Sequence, residues 1–337
     1  MPRPGRRRLK LSNLLKLLVS VGLLAFVFSR MDLRVAGAAL GRLGPGTVVA
    51  ALVLAFVGYA GRAVRWTYLL QRAGVGITHA ASYRLTLVGI FYGLITPGRI
   101  GELGRVMHLD LPRSRTLPSV VWDRLADVLL LEALAIPSLV VLGIWRGPLF
   151  WIYLAVVAAT LAAAAALNSP QVLARLSRRA PRFTARLRLW EAGATGMLTS
   201  AAFWRGVLAG TFFYALNFLA AMLLLRQIEP ASSATFALIL PLIILLGNLP
   251  IAFGGLGLRE QVAALAFAHL GASASVGPVF SLVWFGVITV VPALVGLALA
   301  HTRWGGATTA ALPEAAGAKP TGAAARRDAA GGGPSSE

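Results

Sequence analysis

The chain has 337 residues, 57% of them hydrophobic and only 13% charged, with a mean hydropathy of +0.75. A soluble domain needs a charged surface share of roughly a quarter. The composition excludes one, and several apolar runs of about 18 or more residues specify an all-α polytopic membrane protein. The net charge of +20 does not mark a nucleic-acid binder. Its basic residues sit in short clusters beside apolar runs: MPRPGRRRLK, then Arg62, Arg65 and Arg72, then RLSRRAPRFTARLR. That is the pattern of loops facing anionic lipid.

In chain order, a basic N-terminus (1–8) leads into a membrane domain (9–303) and an Ala/Gly/Pro-rich tail (304–337) that reads as disordered. Six full spans fall at about 9–29, 45–67, 117–143, 149–167, 204–226 and 276–300. The run 9–29 follows arginines but is longer than a signal-peptide core, so it is expected to be a retained span. The segment 171–190 is arginine-rich, with Leu173, Leu176, Phe183, Leu187 and Trp190 interspersed. It reads as an interfacial stretch broken at Pro181.

The positive-inside rule then forces two further elements. The chain between Arg72 and Leu117 must begin and end on the cytoplasmic side, yet it holds one strong apolar run, 85–96, followed by TPGRIGELGRVMHL. A helix that breaks at Pro97-Gly98 and returns along 99–109 restores the parity. The block 232–275 must begin and end outside, and it too meets a Pro/Gly break, GGLGLRE, before returning through QVAALAFAHL. The expected architecture is six spans plus two oppositely oriented broken or re-entrant hairpins, about eight membrane segments, in the pattern of an inverted repeat. Both termini are then cytoplasmic. Scarce lysine among abundant alanine, glycine and arginine suggests a GC-rich bacterial genome, so the expected location is the bacterial cytoplasmic membrane.

Broken backbone at membrane depth survives only where it is buried or lines water. Helix N-termini after Gly98 and Gly257 would aim N–H groups into such a cavity, with Gly101, Gly254 and Gly255 shaping the breaks. Arg99, Arg105 and Arg259 carry guanidinium forks suited to phosphate. Glu102 lies three residues from Arg99 and from Arg105 and can hold either one. Glu260, beside Arg259, is expected to pair across to another helix. In VWDRLADVLLLE, Asp123 and Asp127 share a helical face, Arg124 points aside and Glu132 lies deeper. Each ionised group at helix centre costs about 2.5–3.5 kcal/mol, so the acids must face the bundle interior and pair. Whether they only bind the bundle together, form a polar substrate path or relay protons is open. Arg62 and Arg65 read first as snorkelling anchors at the end of the second span.

The chain has no cysteine, and His79, His108, His269 and His301 are scattered without ligand spacing. No metal is therefore expected. No GxxxxGK[ST], strand-borne GxGxxG, HExxH or Ser-His-Asp grouping exists, so no cofactor is expected either. Acid and arginine pairs leave a lipid-modifying enzyme open.

The ordered set GRAVRW, TPGRIGELGR, VVWDRLADVLLL and FGGLGLRE resembles the membrane region of lysylphosphatidylglycerol synthases, which also occurs alone in flippase-like membrane proteins. The resemblance spans roughly 10–303. It implies movement of an anionic phospholipid or lipid-linked saccharide between leaflets. Arg99, Glu102, Arg105, Asp123, Arg124, Asp127, Arg259 and Glu260 would then contact substrate. The synthase domain does not follow the membrane region in this sequence, so lysyl transfer and transfer-RNA binding are not implied. Membrane lipids are the expected partners, with a second copy or an envelope enzyme as further candidates. The alternative activities are a membrane enzyme that transfers a sugar or similar group to a lipid carrier, and a non-catalytic assembly partner.

Overall fold

The computed structural model describes residues 29, 33–96, 99–109, 111, 113–179, 190–191, 193–230, 233–248, 257–300 and 308–309. The expected first span, the basic N-terminus, Gly98, Gly254, Gly255, Pro181 and most of the C-terminal tail lie outside them. The described chain is helical apart from one pair of two-residue strands.

A short helix α1 (Leu33–Gly41) precedes α2 (Pro45–Arg72), which starts with proline in its first turn. Proline is pre-set for helical φ there, and the N–H it lacks would have no partner. Helix α3 (His79–Leu94) is capped by the Thr78 hydroxyl, which accepts from the Ala81 N–H. A 3-10 helix (Ile100–His108) follows, then α4 (Arg113–Val141) and α5 (Pro148–Asn168). Next come α6 (Pro170–Arg179), α7 (Ala201–Ile228), α8 (Ser233–Ala237) and α9 (Leu240–Gly247). Last are α10 (Leu258–His269) and α11 (Val276–Phe285), which passes through a π turn (Gly286–Val290) into α12 (Val291–Ala300). Strand β1 (Gly76–Ile77) pairs antiparallel with β2 (Thr308–Thr309), which brings the chain beyond α12 beside the end of α2.

Four stretches are long and apolar enough to cross a membrane: 45–72, 150–168, 201–228 and 276–300. At 28 residues, α2 and α7 are each about 42 Å long, more than the roughly 30 Å hydrocarbon core. Helix α4 is as long, but Asp123, Arg124, Asp127 and Glu132 interrupt its apolar run.

The axis of the bundle is the α2–α7 pair. A Cβ on Gly61 would lie 2.4 Å from the Ala209 carbonyl oxygen, so the two helices cross at backbone distance. Close approach through small residues is how helices associate where lipid is as apolar as the side chains. Helix α12 packs on α3 in the same way, with Gly296 against the Leu87 carbonyl. Helices α2, α7, α8, α9, α10 and α11 enclose the largest apolar core, through which runs the stacked row Phe236, Phe267, Phe280 and Trp284.

The chain folds back on itself after α3. Gly101 lies against Tyr92, Glu102 against Gly93 and Arg105 against Gly89, so the 3-10 helix runs antiparallel along α3. The turn is pinned by Thr96, whose hydroxyl donates to the Tyr92 carbonyl and accepts from the Gly101 N–H at 2.7 Å. A second fold-back brings α10 against α9, with Arg259 packed on Gly247.

Candidate functional site

The two fold-backs carry the charged residues of the sequence motifs into the bundle, and α2 and α4 meet them at the first. Asp123 accepts from Arg65 Nε and from Arg105 Nη2, both at 2.6 Å. Asp127 accepts from Arg65 Nη2 at 2.7 Å, from Arg62 Nη2 at 3.0 Å and from the Tyr214 hydroxyl at 3.2 Å. Glu102 faces Arg62 at 3.4 Å and is bonded to Arg124, which also reaches Asp127 at 3.5 Å. Asp123 and Arg65 are 0% exposed and Arg105 is 1% exposed. The Arg105 guanidinium lies over the Trp66 ring, 4.1 Å from its centroid, and that of Arg62 over Phe213 at 5.2 Å.

Local sequence explains how α2 presents two arginines inward. Arg62 and Arg65 are three apart, so they project from one face. Gly206 and Gly210 on α7 leave the groove that Arg65 occupies, because a Cβ on Gly210 would lie 2.5 Å from Arg65 Nη1. The snorkelling expectation for Arg62 and Arg65 is thus corrected. Helix α2 continues to Arg72 rather than ending at 67, which places both arginines well inside it and turns them toward acids.

Two further expectations change. Arg124 does not point aside; its long side chain folds onto Glu102 and Asp127. Glu102 pairs with neither Arg99 nor Arg105. The 3-10 helix keeps Glu102 and Arg105 on one face, but each finds its partner on α2 or α4 instead. Glu132 stays apart from the network, accepting from the Thr160 hydroxyl of α5 at 2.8 Å.

The second fold-back supplies a smaller cluster. Arg259 is ion-paired with its neighbour Glu260 and donates to the Ser281 hydroxyl at 2.8 Å, while its guanidinium lies 4.0 Å over the Phe285 ring. Ser281 in turn donates to Glu260 at 3.0 Å, so the expected reach to another helix is made through this hydroxyl. The α10 N-terminus is not open as expected. Gly257, at φ 85°, donates its N–H to the Glu260 carboxylate at 2.7 Å, so the helix is capped by its own side chain.

Between the two clusters lies a small cavity, about 50 Å³ in volume and partly open to the outside. Arg62, Arg99, Arg124, Asp127 and Arg259 line it, together with Tyr59, Tyr214, Asn217, Asn248, Trp284 and Thr289. Tyr59 and Arg62 of α2, Tyr214 and Asn217 of α7, and Trp284 to Thr289 all come from the middle thirds of membrane-length helices. Arg105, Asp123 and Glu260 stand behind the wall and hold the lining residues in place. Among the described residues Arg99 is the one non-glycine residue with positive φ, at 56°. Such strain at a site persists only where surrounding structure holds it.

The sequence reading missed the α7 and π-turn contributions. Tyr214 and Asn217, three apart in an otherwise apolar run, were the available signal. The π turn had none, and it places Ile288 so that its carbonyl accepts from the Tyr59 hydroxyl. Among the described residues no group of three or more His, Cys, Asp and Glu is placed to hold a metal.

A search of curated proteins and a search of solved structures each returned no match. The family model described as "Lysylphosphatidylglycerol synthase TM region" matches residues 13–296, which takes in both fold-backs, the charged network and all but the end of α12. With most of its length matched, and with membrane-length helices throughout, the chain is a multi-pass integral membrane protein that belongs to the lysylphosphatidylglycerol synthase TM-region family.

Proposed function

We propose that the protein moves a lipid with an anionic headgroup, an anionic phospholipid or a lipid-linked saccharide, between the leaflets of a bacterial cytoplasmic membrane. The observation that carries this reading is the arginine-lined cavity at the mid-length of three membrane-length helices. Each ionised side chain at that depth costs about 2.5–3.5 kcal/mol on insertion scales. Pairing offsets much of that cost, but an apolar bundle would avoid it altogether, so a charged cavity there is expected only where a polar group must pass. The headgroup would exchange its hydration for guanidinium and hydroxyl contacts while its acyl chains stay in lipid.

In this reading the two fold-backs are re-entrant hairpins entering from opposite faces, with both termini cytoplasmic. Arg62, Arg99, Arg124, Asp127 and Arg259 contact the headgroup. Arg65, Arg105, Asp123, Glu102 and Glu260 position them.

Reconstitution in vesicles carrying fluorescent anionic, zwitterionic or glycosylated lipids tests the reading. Accessibility of the label to an aqueous quencher should rise faster with protein than in empty vesicles, for anionic lipids above zwitterionic ones. Asp127→Asn and Arg259→Ala should slow it. Equal rates with and without protein for every lipid would remove the translocation reading, and a covalently altered lipid recovered from the vesicles would favour a transferase.

A further inference from the structure

Among the described residues the charges around the cavity do not cancel. In the first cluster Arg62, Arg65, Arg105 and Arg124 face three carboxylates, Glu102, Asp123 and Asp127, which leaves one cation in excess. Arg259 and Glu260 balance one another. Arg99 lines the cavity and its side chain has no hydrogen-bond or ion-pair partner among the described residues, so it adds a second uncompensated cation. The residues 97–98 and 249–256 that adjoin the cavity wall in sequence contain no charged side chain. Two positive charges in excess at membrane depth are costly unless an anion joins them.

Unpartnered donors belong to the residues around the same space. Arg62 Nε, Arg124 Nε and Trp284 Nε1 are buried, belong to cavity-lining residues and have no partner. Asn217 Oδ1, also unpartnered and on the lining, is an acceptor and suits a hydroxyl on the ligand. Buried polar groups are nearly always satisfied, and four of the seven unpartnered buried side-chain atoms among the described residues belong to the lining of this one cavity. Three N–H donors and a free guanidinium match a phosphate group with several terminal oxygens.

We infer that the cavity takes a phosphate dianion, a phosphomonoester or diphosphate carried by a lipid, in preference to the single charge of a phosphodiester. The inference rests on the anionic-headgroup reading and narrows it: Arg99 and the cluster excess each meet one unit of phosphate charge. A phosphodiester headgroup, whatever its net charge, brings one phosphate charge and leaves one of the two cations unmet.

Lipid retention measures this directly. Detergent-purified protein is incubated with phosphatidic acid, a polyprenyl diphosphate, phosphatidylglycerol or phosphatidylcholine, and bound lipid is read by native mass spectrometry, with inorganic pyrophosphate as a soluble competitor. The two terminal-phosphate lipids should be retained about tenfold or more above phosphatidylglycerol, the scale of one charge-assisted hydrogen bond. Pyrophosphate without acyl chains should compete weakly. Arg99→Asn, which suits the left-handed backbone at that position, should bring the ratio close to one with an unchanged melting temperature. Glu260→Gln, which frees a third cation while keeping an acceptor for Gly257, should raise it.

Equal and tight retention of phosphatidylglycerol and phosphatidic acid would overturn the dianion inference and leave the anionic-headgroup reading standing. Retention of no anionic lipid above phosphatidylcholine would remove both. Pyrophosphate displacing every lipid at equal concentration would make the ligand a soluble anion and overturn the lipid assignment. An unchanged ratio in Arg99→Asn would overturn the charge accounting.

Discussion

The two walls of the cavity solve the same problem, holding arginine in an apolar bundle, by different means. The first wall is built by α2, the 3-10 helix and α4, with Tyr214 of α7 added, and every carboxylate in it serves at least two cations. The second wall pairs two sequence neighbours, Arg259 and Glu260, and leans on one hydroxyl from α11. Loss of a member of the first wall strands charges on several helices. Loss of a member of the second disturbs mainly the start of α10. The difference separates a cross-helix network from a local cap: the first wall ties several helices together, and the second ties mainly the start of α10 to α11.

The largest effect should come from Asp123→Ala, which leaves Arg65 and Arg105 buried without their carboxylate. Breaking a buried pair from one side costs about 3–5 kcal/mol. Detergent-solubilised protein should lose folded yield and melt far lower, whereas a melting temperature within a degree or two of wild type would deny the network that role. A second break leaves every charge in place. Gly210→Ala puts a methyl where Arg65 Nη1 lies, and overpacking of this kind costs about 1–3 kcal/mol. Its effect should be much smaller in an Arg65→Met background, because the clash goes with the guanidinium; full additivity would place the damage elsewhere.

The second wall gives the smaller effects. Ser281→Ala removes one hydroxyl bridging Arg259 and Glu260 and should cost about 0.5–1.5 kcal/mol in thermal stability. A double-mutant cycle sharpens the contrast. Tyr214→Phe and Asp127→Asn share a hydrogen bond and should couple, while Tyr214→Phe and Ser281→Ala share no partner and should add within about 0.5 kcal/mol. Strong coupling of the second pair would mean that the two walls act as one unit.

Much of the site was visible as residues and little of it as pairs. TPGRIGELGR, VWDRLADVLLLE and GGLGLRE named Arg99, Glu102, Arg105, Asp123, Arg124, Asp127, Arg259 and Glu260, and the structure brings all of them to the cavity or directly behind it. Arg62 and Arg65 were visible but misassigned. A basic pair near the apparent end of an apolar run has the pattern of an anchor, and only the continuation of α2 to Arg72 shows it to be interior. Tyr214 and Asn217 left a faint signal in their three-residue spacing, and Trp284 left none, since a tryptophan in an apolar run looks like an ordinary membrane-helix residue.

By itself the sequence determined the solvent and the secondary structure. Apolar runs of bilayer length leave the backbone no option but helix, and Pro and Gly mark where helix must stop. Those are properties of a single segment. The tertiary structure alone decided which arginine meets which acid, that a cavity remains between them, and that among the described residues the arginines there outnumber their carboxylates. These depend on the rotation and depth of one helix against another, set by close crossings such as Gly61 on Ala209 and Gly296 on Leu87. A shift of one residue along α2 would turn Arg62 and Arg65 by about 100°, away from Asp123 and Asp127, without changing the hydropathy of any segment.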